Sequence, residues 1–158
     1  MSKSIGPTLR HHWSLLSNKP LGKWLFSRLV GHMAPYSGTI GARVECLETG
    51  HGVVSLADRR KVRNHLGSIH AIALVNLAEL VTGLTLMYSL PPYMRGILVG
   101  IEMKYLKKAR GRLQAECFCE PAEAGVEQEL RVSGEIRDAD GDVVATAVAS
   151  WLLGPEKN

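Results

Sequence analysis

Aromatic residues are scarce, at 6% of 158, and the basic stretches carry few of them. Stacking platforms for bases are missing, so single-stranded nucleic-acid binding fits poorly. Cysteine is scarcer still: Cys46, Cys117 and Cys119 are the only three, and they show no metal-ligand spacing. The Cys-x-Cys pair falls in an alternating segment, which puts both thiols on one strand face as small apolar groups, reduced and without a disulfide. The histidines are not spaced as ligand pairs with supporting carboxylates, so no metal site and no cofactor are expected. No glycine-rich phosphate loop, Gly-x-Ser-x-Gly elbow or Cys–His nucleophile pattern occurs. The start, from Met1 to Pro7, has no apolar core or small-residue cleavage site. No signal peptide is therefore expected, and a reducing cytoplasm is the expected location.

What is present is the balance of a globular domain. Apolar residues make up 46% and charged residues 22%, and the length suits one domain. The net charge of +4 is unevenly spread. Residues 1–63 hold ten basic and three acidic groups, whereas residues 113–158 hold three and ten. Either these are complementary surfaces within one domain, or the basic front binds a partner.

Residues 1–37 read as a helical segment. Trp13, Leu15 and Leu16, then Leu21, Trp24, Leu25 and Leu29, recur at helical spacings, with a break at Asn18-Lys19-Pro20. Pro20 suits the first turn of the second helix. The segment is placed to cover either a sheet edge or one end of a ligand tunnel. From residue 38 to 158 the chain reads as a second unit with period-two patterning. Ile40, Ala42, Val44 and Cys46 alternate with polar positions, and a turn at Glu48–Gly52 leads into a second strand. Four later strands follow. In the first of them Ile97, Val99, Ile101, Met103 and Tyr105 are expected to share a face, and the last, near 143–153, is apolar on both faces and so central.

Between them lies a helix over residues 70–88, apolar almost all round, with Ser68 expected as its N-cap and Pro91-Pro92 ending it. Asn76, Glu79, Thr82 and Thr85 interrupt it, which argues against a membrane span. The order predicts an α+β fold: an antiparallel sheet wrapped around one long central helix.

Glu79 sits in the middle of that helix, among Leu77, Ala78, Leu80 and Val81. An unpaired carboxylate there costs several kcal/mol or shifts its pKa upward. It is either a catalytic or ligand-contacting group, or one half of an ion pair with a strand Lys or Arg. Asn76 and Gly83 lie on its side of the helix. Asn64, His65, Ser68 and His70 form a second polar cluster at the helix entrance, where free N–H groups suit a developing negative charge. Either histidine alone reads equally as a cap or a surface residue.

Asn64, His70 six residues on and Glu79 nine further resemble the hot-dog-fold acyl-CoA thioesterases of the phenylacetate-degradation type. That family runs Asn, then His-Gly-Gly at the helix start, then an acid within the helix; here Ala71 and Ile72 follow His70. The resemblance implies a hot-dog fold and a thioester hydrolase. It implies that the thioester oxygen sits at the Ala71 N–H with Asn64 nearby, and that Glu79 activates water or attacks the carbonyl. Eight residues of helix separate Ala71 from Glu79, about 12 Å of rise. One carbonyl carbon cannot meet both in one chain, so the site is expected to be shared between subunits of a homodimer or homotetramer.

Phosphate contacts to coenzyme A are assigned to Lys104, Lys107, Lys108 and Arg110, with Arg112 and the 59–63 basic stretch nearby; a solvated charged rim is the alternative. His65, Ser68, Asn76 and Gly83 complete the expected substrate-binding set. Two other functions share the fold. His65 stands fourteen residues before Glu79, which resembles the spacing of hot-dog enoyl-thioester dehydratases. A non-catalytic acyl-thioester or lipid-binding module is the other.

Overall fold

The computed structural model describes residues 4–156. Three helices come first: α1 (Gly6–Leu16), α2 (Gly22–Met33) and the single-turn α3 (Pro35–Gly38). Strands β1 (Arg43–Glu48) and β2 (His51–Leu56) form a hairpin and lead to the long helix α4 (Ala71–Ser89). Strands β3 (Met94–Tyr105), β4 (Leu113–Phe118), β5 (Gln128–Arg137) and β6 (Val143–Pro155) follow. All strand pairs are antiparallel, in the order β1-β2-β4-β5-β6-β3. The sheet wraps α4, as the element order predicted, and this is the hot-dog arrangement that the resemblance implied. β6 lies inside the sheet, as its two apolar faces required.

Helix α4 is long and apolar enough to cross a membrane by length and composition. Here its sides are covered by protein: Leu77, Ala78, Val81 and Leu86 are at most 1% exposed. Each such leucine contributes about 2 kcal/mol by leaving water. Gly52 on β2 lets sheet and helix touch, since a Cβ there would collide with Thr85 Oγ1. The helix starts later than Ser68. His70 is the N-cap, and its Nδ1 accepts from the Ile72 N–H at 3.1 Å. Ser68 is buried instead, and its hydroxyl donates to Asn64 Oδ1 at 3.2 Å. Leu90 adopts an extended conformation ahead of Pro91 and closes the helix.

Two β-bulges revise the expected strand faces. In β3 the register with β6 shifts between Leu98 and Gly100. Ile101 and Met103 therefore oppose the buried Ala149 and Ala147, whereas Ile97 opposes exposed Leu152 on the outer face. In β1 a shift between Val44 and Cys46 leaves Val44 inward and turns Cys46 outward, opposite Val53. An extra residue inverts every side chain beyond it, which alternation alone does not reveal.

The N-terminal helices cover the sheet edge and the end of the central helix. α1 packs on the end of α4, where Arg10 donates to the carbonyls of Tyr88 (2.7 Å) and Leu90 (3.2 Å). α2 runs along the outer edge of β1: Val44 N–H donates to Ser27 Oγ at 2.9 Å, and Lys23 Nζ donates to the Glu45 carbonyl at 2.6 Å. These contacts occupy backbone groups of an edge strand that would otherwise be open. Pro20 is not in the first turn of α2; Leu21 precedes that turn in the left-handed region, at φ 59°. Phe26 and Val30 are the residues α2 buries, while Leu21, Trp24 and Leu25 face outward.

Candidate active site

Helix α4 presents Asn76, Glu79 and Gly83 on one face, at the spacing that stacks side chains along a helix. α3 lies over that face. Ser37 Oγ donates to Glu79 Oε2 at 3.3 Å, and Asn76 Nδ2 donates to the Tyr36 carbonyl at 3.3 Å. Among the described residues Glu79 has no cationic partner. Burial pushes its carboxyl up from the ordinary glutamate value, and the Ser37 hydroxyl pulls part of the way back.

A cavity of about 160 Å³ opens beside Glu79, walled by α1 (Leu9), α2 (Val30, Met33), α4 (Leu80, Leu84, Met87) and Trp151 of β6. Its lining is mostly apolar. Gly83 admits the Trp151 ring: a Cβ on it would lie 3.0 Å from the ring and 3.7 Å from Glu79 Oε1. Two buried polar atoms nearby have no partner among the described residues, the Trp151 indole N–H and Asn76 Oδ1. Buried polar groups without partners are uncommon.

A larger groove of about 660 Å³ shares Val30, Ser37 and Leu80 with that cavity. Arg28, Arg43, Arg59 and Arg112 line it, with Trp24 and His32, and no acidic residue does. Arg43 and Arg112 reach Glu45 at 3.7 and 2.8 Å, and Arg59 donates to the Ile40 and Gly41 carbonyls. Arg28 is exposed and makes no ion pair among the described residues. Glu79 thus stands where an apolar chamber meets a cationic channel.

The second polar cluster lies at the other end of the helix face. Asn64 Oδ1 accepts from Leu66 N (2.9 Å), Ser68 N (3.3 Å) and Ser68 Oγ, which fixes the loop into α4. The Ala71 N–H has no acceptor among the described residues, and His70 is held by its own cap bond. His65 is exposed in the loop. A third hollow, holding Lys61, Arg63, His70 and Asn76, adjoins this end. The structure therefore brings Glu79 and Gly83 to one cavity, and Asn64, Ser68, His70 and Ala71 to the helix entrance, with Asn76 on the hollow that it shares with His70.

Within the expected phosphate cluster, Lys107 is held by two carboxylates. Its amine lies 2.7 Å from Asp138 and 2.5 Å from Asp142, and these hydrogen bonds raise its pKa. Lys104, Lys108 and Arg110 are exposed, but none lines a cavity beside Glu79. Sequence reading missed Ser37 of α3, Trp151 of β6, Arg28 of α2 and Arg43 of β1, which come together only through the packing of these elements. It also missed one grouping of possible metal ligands. Cys46, Glu48 and His51 bring ligand atoms within 4.8 Å of one another across the β1–β2 hairpin. His51 there already bonds Glu116 at 2.8 Å and stacks on Phe118.

Residues 22–153 match the family model described as Domain of unknown function (DUF4442). The chain belongs to this family. No curated protein is a detectable relative of this DUF4442 chain. Among solved structures, one from a genomics effort superposes at TM-score 0.82 with 28% identity, covering 94% of this chain and 99% of its own. A Pseudomonas aeruginosa protein described as a probable thioesterase gives 0.74 at 24% identity, covering 82% and 93%. A Haemophilus influenzae thioesterase gives 0.74 at 13% identity, covering 90% and 97%. At the last two identities the likeness is one of fold.

Proposed function

We propose that this DUF4442 chain is a thioester hydrolase acting on acyl-CoA or a related acyl-carrier thioester. The observation that carries the reading is Glu79: a half-buried carboxyl with a raised pKa and, among the described residues, no cation, between an apolar cavity and an arginine-lined groove. A raised pKa suits a base that must take a proton near neutrality. The acyl group enters the small cavity, and the phosphates of the carrier lie toward Arg28 and its neighbours. Glu79 takes a proton from water as the oxygen bonds to the carbonyl carbon. The negative charge on the carbonyl oxygen falls on the Ala71 N–H and the Asn64 amide. Collapse breaks the C–S bond, and the thiolate leaves with the proton from Glu79.

Because about 12 Å of helix separates Ala71 from Glu79, the two act on one thioester only when they come from different subunits. The β3 edge supports such pairing. It is twelve residues long, has no strand on its outer side among the described residues, and shows exposed Ile97 and Val99. A second copy added there completes the site in a dimer.

A non-catalytic acyl-thioester binder is the second reading. The roof over Glu79 favours it, since Ser37 already occupies one carboxylate oxygen. A panel of acyl-CoA chain lengths, read by thiol release, separates the two. Turnover of some members is expected. Saturable binding across the panel without thiol release establishes the binder.

A further inference from the structure

The hairpin of α1 and α2 carries a surface that the proposed hydrolysis does not use. Leu15, Leu21 and Leu25 stand out at its tip, beside Trp24 on the rim of the arginine groove. Leu21 is 78% exposed and Trp24 53%. Leu21 also holds a left-handed backbone conformation, unfavourable for a leucine, with its side chain left in water. Four large apolar side chains on one exposed tip form a patch rather than scattered surface residues.

The segment that carries the patch has charge of one sign. From residue 1 to residue 44 the chain contains no Asp or Glu. Within the described part of that stretch stand Arg10, Lys19, Lys23, Arg28 and Arg43, with His11, His12 and His32. Lys19 and Arg28 are exposed and flank the tip. A protruding apolar tip in a basic field, with an indole at its margin, matches the physical requirements of an anionic lipid surface. Apolar side chains enter the headgroup boundary, cations stay among the phosphates, and tryptophan sits at the interface.

We propose that the α1–α2 tip docks this protein on anionic membranes as a peripheral contact, inserting Leu21, Leu25 and Trp24. α2 packs along β1, at the opposite end of the sheet from β3. A second copy paired at β3 therefore leaves the tip free. The mouth of the groove faces the same surface through Trp24, so acyl substrates arrive where they partition.

Vesicle co-sedimentation of the full chain at low ionic strength tests this, with phosphatidylglycerol–phosphatidylcholine vesicles against phosphatidylcholine alone. Binding is expected to the anionic vesicles and to weaken with added salt. Tryptophan emission reports the same event. Of the three tryptophans, Trp13 and Trp151 are buried, so a blue shift on binding arises from Trp24. The double variant Leu21→Asp, Leu25→Asp should lower the partition coefficient by about tenfold or more. Both side chains are exposed and line no cavity, so its far-UV spectrum, melting temperature and hydrolysis of soluble substrates should stay as in the parent. No binding of the parent to anionic vesicles overturns the proposal, as does undiminished binding of the variant. A change in sedimentation mass without a change in vesicle binding also overturns it and assigns the tip to contact between copies.

Discussion

Ser37 of the single-turn helix α3 donates to Glu79 of the central helix across 3.3 Å, and among the described residues this is the sole side-chain hydrogen bond to that carboxylate. The contact joins the N-terminal segment to the one ionisable group in the interior of α4. Its removal withdraws a donor that favours the charged form. Ser37→Ala should therefore raise the Glu79 pKa further, moving the acidic limb of the kcat/KM profile to higher pH. An unmoved limb in that variant separates Ser37 from the carboxylate that controls the rate.

The same carboxyl has a stability consequence. Its folded-state pKa lies above its unfolded one, so ionised Glu79 destabilises the fold above the folded pKa. That penalty vanishes below the unfolded value. Glu79→Gln removes it. The variant should be more stable than the parent at neutral pH, with the difference fading toward pH 4. Urea unfolding at the two pH values measures it; a variant less stable at neutral pH counts against an uncompensated charge.

Gly83 sets the shape of the acyl chamber. A methyl group there meets the Trp151 ring at 3.0 Å and projects toward Glu79. Gly83→Ala should cost about 1–3 kcal/mol of stability through overpacking. It should also lower kcat/KM for bulky acyl groups more than for acetyl. Equal loss across all acyl groups would place the acyl chain elsewhere.

Arg28 and Lys107 make a contrasting pair. Arg28 is exposed, on the groove and without an ion pair among the described residues, whereas Lys107 is held by Asp138 and Asp142. Arg28→Ala should raise KM for CoA thioesters by about fivefold, as expected for one exposed charge pair. N-acetylcysteamine thioesters, which lack phosphates, should be unaffected. Lys107→Ala should leave both KM values unchanged.

Cys117 offers a check on the core itself. Burial against α4 pushes its thiol up to about 12, with the Thr85 side chain pulling the other way. Such a thiol is almost wholly protonated at neutral pH and unreactive. Titration with a disulfide reagent should find Cys117 silent in the native protein and reactive in urea.

These expectations show where the sequence was readable. Helix α4 announced itself because it is apolar on every side, and Glu79 because a carboxylate in that setting has no ordinary explanation. The strands were visible through alternation, yet the bulges at Val99 and Glu45 were not. One inserted residue leaves composition unchanged and inverts the faces beyond it. The partners of Glu79 were hidden for another reason. Ser37 lies forty-two positions away and Trp151 seventy-two, and no local periodicity encodes contact between elements so distant. Lys107 looked available because charge counts do not show which acids fold back onto a lysine. Asn64 and Ser68 were found as polar residues at a helix entrance, but their bond to each other appears only once the loop is closed.

The most direct test compares the parent and Glu79→Gln on the best acyl-CoA of the panel, by thiol release at neutral pH, with folding of both verified by circular dichroism. Loss of a general base predicts a fall in kcat of about 10²–10⁴ in the variant while substrate still binds. A variant that turns over at the parental rate contradicts the assignment of Glu79 as the base.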